Sequence, residues 1–197
     1  SKGKDVVRMK MMKKVAESPN VTSPVLKNLG PNHDMGDWKN ILDFFKWGVA
    51  NFPAEHYMVV IADHGSGWHG SRNTKVVSFD DLTGHAVDVL EFSKLAREMQ
   101  AIAPVDILGF DACLMSMTEV ATEFSGFGIK YLLASQEVEP GPGWAYDDLL
   151  NAANKVPNLS PEAFGKIVVD TYIASYQGGS QGTDQATLSL TSLPQIG

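Results

Sequence analysis

The sequence has a single cysteine, no long apolar run and no excess of positive charge, and each absence argues against a class of protein. The one cysteine, Cys113, cannot form a disulfide within the chain, so it is either an inert buried residue or a reactive thiol. No apolar stretch reaches the roughly 18 residues that a membrane span needs. A net charge of −7 argues against a general nucleic-acid binder, whose surface must be basic.

Motifs for metal and nucleotide binding are also missing. No cluster has the spacing of a zinc site, and no Gly-rich segment matches a P-loop or G-x-G-x-x-G. Ser66 follows a histidine but lacks the G-x-S-x-G elbow of serine hydrolases. The chain shows no signal peptide. Its 197 residues, 44% of them hydrophobic and 20% charged, suit one globular domain.

Two stretches of similar form stand out in what remains. Residues 57–62, YMVVIA, are followed by DHGSGW, and residues 104–110, PVDILGF, are followed by DAC. Each apolar run is typical of a strand that is buried on both faces. Because open α/β sheets place their sites at the carboxyl ends of parallel strands, His64 and Cys113 are predicted to share one rim of a sheet.

The rest of the pattern alternates between strands and helices. This alternation predicts an α/β fold with a mainly parallel sheet and helices on both faces, a three-layer αβα arrangement. Residues 1–36 are hard to read, since 6–12 fit either a strand or a solvated helix face and 18–36 resemble a loop. Helices are predicted at 38–51, 89–102, 114–124, 146–155 and 161–176, strands at 76–79, 129–135 and 186–192, and a flexible loop at 177–185.

Cys113 and His64 have the chemistry of a nucleophile and its partner. A thiolate attacks more readily than a thiol, and a cysteine between a strand end and a helix start lies where backbone N–H groups favour an anion. His64 is the one histidine that ends a buried strand and precedes a glycine. Gly65 suits an oxyanion site that it would share with the N–H of Cys113. The alternative is an inert cysteine, a loop histidine and a glycine that the turn requires.

Five stretches together resemble the clostripain family of cysteine endopeptidases, relatives of the caspases, gingipains and legumain. They are MGDWKNILDFFKWG, PAEHY, ADHGSGW, DILGFDACLM and ASQEVEPGPGWAY, which follow in this order from about Met35 to Tyr146. The resemblance implies a caspase-hemoglobinase-like fold and cleavage of polypeptides after Arg or Lys, with Cys113 as nucleophile and His64 as general acid/base. The number of residues between His64 and Cys113 fits this wider clan, although the Gln-Ala-Cys-x-Gly motif of caspases is absent.

The same resemblance assigns residues to substrate binding. An acid at the position of Asp111 helps these enzymes to select a basic P1 side chain, the one before the cleaved bond. Glu137 and Glu139, in the loop after the third predicted strand, could supply a second carboxylate, and Trp68 could form a wall of the cleft. The alternatives are a helix cap for Asp111 and solvated charges for the two glutamates.

Clostripain-like enzymes are commonly cut between the histidine and the cysteine into light and heavy chains that stay associated. The predicted loop 70–84 offers just Arg72 and Lys75 as basic residues, and Lys75 is favoured because Arg72 closely follows Trp68. The resemblance also implies a secreted or cell-envelope bacterial protein, and we expect residues 1–197 to be one peptidase domain truncated at both ends. Some members are linked to calcium, but the sequence requires no cofactor and locates no calcium site.

Two other functions stay open. One is a different cysteine-dependent amidase or hydrolase on the same sheet. The other is a non-catalytic α/β binding domain.

Overall fold

A computed structural model describes residues 5–12, 22–31, 33–68 and 76–196. Its strands are β1 (Val6–Met9), β2 (Val25–Gly30), β3 (Met58–Ala62), β4 (Val76–Phe79), β5 (Ala86–Asp88), β6 (Ile107–Asp111), β7 (Tyr131–Ala134), β8 (Gln177–Gly179), β9 (Gly182–Thr183) and β10 (Ser189–Ser192). Its helices are α1 (Trp38–Asn51), α2 (Val89–Ile102), α3 (Thr118–Phe124), α4 (Tyr146–Ala153) and α5 (Pro161–Ser175), with a 3-10 turn at Leu193–Gln195.

The central sheet has the strand order β10-β7-β6-β3. Strands β3, β6 and β7 are parallel, and β10 pairs antiparallel with β7 at one edge. The register of β3 on β6 runs from Met58 opposite Ile107 to Ala62 opposite Asp111. The prediction of a mainly parallel sheet is therefore confirmed.

Helices pack on both faces of this sheet. One hydrophobic core contains side chains of α1, α2 and α3, and a second contains side chains of α4 and α5. The alternation of side chains along β6 supplies both, since Leu108 and Phe110 lie in the first core and Ile107 in the second. Burial on both faces explains why this strand reads as an uninterrupted apolar run.

Local signals in the sequence set the starts of the main helices. Asp37 caps α1 by accepting the N–H of Lys39 at 2.9 Å, and Ser160 caps α5 by accepting that of Ala163 at 3.2 Å. Asp88 and Glu91 form a reciprocal capping box at the start of α2. In the part of the chain that the structure describes, no helix is both long and apolar enough to cross a membrane.

Several local predictions were wrong. The helix expected from residue 114 begins only at Thr118, because Leu114 has a φ of 64°, which an α-helix cannot contain. The described part of 18–36 is not all loop, since it contains β2, which pairs with β1. The same pairing shows that residues 6–9 form a strand and not a helix. Residues 177–183 form the small hairpin β8-β9 rather than a flexible loop, and Gly178 and Gly182 supply its left-handed backbone.

Candidate active site

His64 and Cys113 lie at equivalent positions beyond the ends of two neighbouring strands, β3 and β6. Ala62 pairs with Asp111, and the next N–H, that of Asp63, donates to the carbonyl of Asp111 at 3.2 Å. His64 and Cys113 each lie two residues beyond this pair. The side chain of His64 is exposed and that of Cys113 is half-buried. The sheet therefore brings both residues to the same C-terminal rim, as predicted.

The turn that carries His64 packs directly on the turn that carries Cys113. A Cβ at Gly65 would lie 2.2 Å from the carbonyl oxygen of Cys113, and one at Gly67 would lie 2.4 Å from that of Leu114. Both distances are far below van der Waals contact. Gly67 also has a φ of +54°, which favours glycine. Any side chain at Gly65 would push the histidine and cysteine turns apart.

Asp63 holds the histidine turn from the other side. One of its carboxylate oxygens accepts the N–H of His64 at 2.7 Å, and the other accepts the N–H of Phe79 in β4. Gly65 also forms an isolated antiparallel bridge with Val77 of the same strand. The segment 63–65 is thus fixed between the Cys113 turn and β4.

The Cys113 turn is held by the segment after β7. Leu114 donates to the carbonyl of Glu137 at 3.2 Å, and Ser116 donates to that of Ser135 at 2.9 Å. The N–H of Glu139 points at the sulfur of Cys113, 3.3 Å away. The left-handed backbone of Leu114, costing about 1–3 kcal/mol, is maintained by these contacts.

Asp111 lies beneath the segment 141–144, Gly-Pro-Gly-Trp. Its Oδ2 accepts the hydroxyl of Tyr146 at 2.8 Å and the N–H of Trp144 at 3.3 Å. A Cβ at Gly143, whose φ is +67°, would lie 2.8 Å from Asp111 Oδ1. The Asp111 carboxylate therefore packs against the backbone of this segment, and it does not cap a helix.

Glu139 is a second carboxyl beside Asp111, with only 9% of its surface exposed. Its Oε1 accepts the indole N–H of Trp144 at 3.4 Å, whereas no donor of the described residues reaches the buried Oε2. Burial, followed by the hydrogen bond and the negative charge of the neighbouring Asp111 carboxyl, raises the pKa of Glu139 to about 8. The Trp144 hydrogen bond opposes this rise.

Tyrosines line this acidic site. Tyr172 of α5 and Tyr176, which directly follows that helix, are 1% and 2% exposed, and the hydroxyl of Tyr176 donates to the carbonyl of Gly143 at 2.8 Å. Burial and the charges of Asp111 and Glu139 raise the pKa of both tyrosines and of Tyr146. All three therefore stay protonated at neutral pH. The buried hydroxyl of Tyr172 has no hydrogen-bond partner among the described residues.

Glu137 and Trp68, the other predicted site residues that the structure describes, make no recorded contact with the Asp111 and Glu139 carboxyls. The side chain of Glu137 is exposed and lines a cavity of about 650 Å³ that also contains Asp184. Trp68 is 36% exposed at the end of the histidine turn. Arg72 and Lys75 lie outside the described residues. Within the described ranges, no group of three or more His, Cys, Asp or Glu side chains could hold a metal ion, so calcium dependence stays a prediction without a located site.

Three of the site residues that sequence reasoning missed differ in the signal that the sequence contains for them. Asp63 directly precedes His64, and its carboxylate is a turn-forming signal that could have been used. Tyr146 is the last residue of the ASQEVEPGPGWAY stretch, which resembles the clostripain family, so the sequence contains a weak signal for its contact with Asp111. Tyr172 lies within α5 and has none, because only the packing of that helix brings it to the acidic site.

Comparison with known proteins identifies the family of this chain. The sequence model of the clostripain family, peptidase family C11, matches residues 5–197. The chain belongs to the clostripain family. Clostripain from Hathewaya histolytica is 32% identical over 129 residues, which are 60% of this chain and 24% of the relative.

Solved structures of clostripain-family proteins share the fold. A secreted C11 cysteine protease from Bacteroides thetaiotaomicron, in complex with an irreversible peptide inhibitor, matches with a TM-score of 0.74 and 20% identity over 98% of this chain. An inactive zymogen C11 protease from Parabacteroides distasonis matches with a TM-score of 0.70 and 19% identity, also over 98%. This chain spans 53% and 48% of their respective lengths.

Proposed function

We propose that this protein is a cysteine endopeptidase that cleaves polypeptides after Arg or Lys. The observation that carries the proposal is the position of Cys113, on the same rim as His64, two residues after Asp111 and with the N–H of Glu139 3.3 Å from its sulfur. Membership of the clostripain family supports it. Such an enzyme needs a nucleophile beside a P1 pocket whose charge is opposite to that of the substrate side chain.

Cys113 acts as the nucleophile. Its thiolate attacks the carbonyl carbon of the scissile bond, and the N–H of Glu139, 3.3 Å from the sulfur, helps to hold the sulfur in place. His64 then protonates the leaving amine, which departs and leaves an acyl group on sulfur. Water hydrolyses this acyl-enzyme and restores the thiol. His64 need not touch the sulfur for this role, because the proton goes to the amine.

Gly65 contributes to the oxyanion site. The negative oxygen of the tetrahedral intermediate forms above Cys113, where the N–H groups of Gly65 and Cys113 are the proposed donors. The absence of a side chain at Gly65 allows this close approach, since the residue lies directly against the Cys113 main chain. Trp68, at the end of the same turn, provides an apolar wall for the substrate.

Asp111 and Glu139 select the basic P1 side chain. The two carboxyls neighbour each other, with Glu139 buried and Asp111 half-buried. A carboxylate shielded from water that meets a guanidinium or an ammonium group makes a strong charge-assisted hydrogen bond. Glu139 Oε2 still lacks a donor among the described residues, and a P1 cation can supply one. Glu137 is exposed and is the weaker candidate for this role.

We also propose self-cleavage after Lys75 or Arg72. The residues lie between β3, with its histidine turn, and β6, with its cysteine turn. Because β3 and β6 are paired along their whole length, the light and heavy chains stay associated after the cut. Secretion is proposed by analogy with the secreted family structure from Bacteroides thetaiotaomicron.

A fluorogenic P1 scan tests the proposed function. Peptides that differ only at P1, with Arg, Lys, citrulline, Leu or Asp, are incubated with the wild type and with Cys113→Ala. We expect hydrolysis of the Arg and Lys peptides by the wild type and none by the alanine variant. Turnover of small amides but not of peptides would favour a different cysteine amidase. Absence of both turnover and active-site labelling would favour a binding domain.

A further inference from the structure

The acidic site combines two neighbouring carboxyls with no compensating cation among the described residues. The ion pairs of those residues use other acids, namely Asp34, Asp43, Asp106 and Asp170. Asp111 receives its hydrogen bonds from Tyr146 and Trp144, which are neutral donors. Two adjacent carboxylates that are both ionised and largely buried repel each other strongly.

Polar atoms within the site lack partners. With both acids ionised, Glu139 Oε2 is a buried acceptor that no described donor reaches. The hydroxyl of Tyr172, buried nearby and acted on by the Glu139 charge, also has no hydrogen-bond partner among the described residues. Unpaired buried polar atoms are costly, so the ionised pair needs either a bound proton or a guest that donates hydrogen bonds.

We propose that Asp111 and Glu139 hold one proton between them in the free enzyme, and that a cationic P1 side chain displaces this proton when it binds. The inference rests on the proposed function, because it concerns the same P1 site. Before binding, the pair carries one proton and one negative charge. After binding, both carboxylates are ionised, the P1 cation neutralises one of them, and the displaced proton passes to solvent.

Charge balance is the physical reason for this exchange. The net charge of the occupied site equals that of the empty site, so neither state buries two uncompensated carboxylates. The raised pKa of Glu139, about 8, is consistent with a proton that stays bound at neutral pH until a cation arrives. A neutral P1 side chain cannot displace it and leaves the pair protonated.

Other groups that face the pair do not supply the proton. Tyr146 of α4, Tyr172 of α5 and Tyr176 directly after α5 have raised pKa values, so they stay neutral over the relevant pH range. Among the described residues, a further titratable neighbour is Cys113, whose sulfur accepts the N–H of Glu139. Its replacement by alanine removes that titration and isolates the acid pair.

Isothermal calorimetry on Cys113→Ala measures the exchange directly. A substrate peptide with Arg at P1 is titrated at pH 6.5, 7.5 and 9.5 in pairs of buffers with different ionisation enthalpies. We expect release approaching one proton per peptide at pH 6.5 and nearly none at pH 9.5. The dissociation constant should fall by about tenfold for each pH unit gained below pH 8 and then level off.

Two matched controls identify the source of the proton. The same peptide with citrulline at P1, which is nearly isosteric with Arg but neutral, should bind without proton release. In Cys113→Ala with Glu139→Gln, the Arg peptide should bind with a dissociation constant that does not change with pH. Thermal unfolding of this double variant checks that it is folded, and if it is not, the citrulline comparison on Cys113→Ala alone decides.

The outcomes separate this inference from the proposed function. Arg peptides that are cleaved by the wild type and bind Cys113→Ala without proton release would overturn the proton exchange and leave the peptidase intact. Equal release with Arg and citrulline would also overturn it. Arg peptides that are neither cleaved nor bound at any pH would overturn both.

Discussion

Gly65 lies directly against the main chain of Cys113, so closely that a Cβ on the glycine would come within 2.2 Å of the cysteine carbonyl oxygen. The residue that follows the histidine and the residue that carries the thiol are therefore in contact through backbone alone. The spatial relation of His64 to Cys113 depends on this contact and on the pairing of Ala62 with Asp111 behind it.

Gly65→Ala is expected to abolish peptide hydrolysis and to lower stability by about 1–3 kcal/mol, because the added methyl group overpacks the contact with Cys113. Gly48→Ala is the matched control. It lies inside α1, where an added Cβ meets nothing within 4 Å, so it should keep full activity and gain about 0.5–1 kcal/mol. Chemical denaturation and kcat/KM measure both effects. A fully active Gly65→Ala would contradict the proposed geometry.

Cys113→Ala is expected to lose all peptide hydrolysis while remaining folded. The change removes one sulfur atom from a half-buried position, so the free energy of unfolding should change by about 1 kcal/mol or less. Activity assays and denaturant titration measure the two effects. Wild-type turnover in this variant would end the cysteine mechanism.

Asp111→Asn should lower kcat/KM on Arg and Lys peptides by about tenfold to a hundredfold, since a charge-assisted contact is worth roughly 1.5–3 kcal/mol. Glu137→Gln is the control, because this side chain is exposed and should not alter P1 preference. A P1 scan of both variants distinguishes them. If Glu137→Gln lost the preference and Asp111→Asn kept it, the specificity role would move to Glu137.

Self-cleavage predicts that the purified wild type runs as a pair of fragments on a denaturing gel and that Cys113→Ala runs as one band. Lys75→Gln should slow the cut and Arg72→Gln should affect it less, while Lys75→Arg should restore it. Mass spectrometry of the fragments identifies the bond. Fragments from the alanine variant would assign the cut to another protease.

Asp106, at the opposite end of β6 from the site, should make stability sensitive to acid. Burial disfavours its charged form, but hydrogen bonds from Lys130 and His56 outweigh this, and its pKa falls below the usual 3.8. Its stabilising effect is therefore present above pH 4 or so and is lost as the pH falls through the folded-state pKa.

Asp106→Asn should accordingly destabilise the protein at pH 7 by about 1–3 kcal/mol, with a smaller difference from wild type in acid. Its control is Asp170→Asn, which removes an exposed pair with Lys166 and should change stability by less than about 0.5 kcal/mol. Denaturation at pH 3 and pH 7 compares them. A constant difference at both pH values would contradict the assignment.

The sequence predicted the rim of the site because the signals there are local. Strand β6 is buried on both faces, whereas β3 is only half-buried, so the prediction of full burial was wrong for β3. Both strands nevertheless end where His64 and Cys113 follow, so apolar runs and turn residues were sufficient to predict the rim. The left-handed Leu114 could not be predicted, since long-range hydrogen bonds from the segment after β7 stabilise it. For the same reason the start of α3 was placed too early.

The acidic site was predictable only by resemblance. Nothing in the residues around Glu139 separates it from Glu137, yet one is buried and the other exposed. That difference comes from Trp144 and from α5, which close over Glu139 through tertiary packing. Packing of this kind leaves no short-range pattern in a sequence.

Covalent labelling tests the central claim, that Cys113 is a nucleophile served by a P1 site for basic side chains. The protein is treated with a peptidyl chloromethyl ketone that carries Arg at P1 and, separately, with the analogue that carries Asp, and the adducts are located by peptide mapping. We predict one adduct on Cys113 with the Arg reagent, little with the Asp reagent, and none in Cys113→Ala. Equal labelling by both reagents, or none at Cys113 in the folded protein, would contradict the claim.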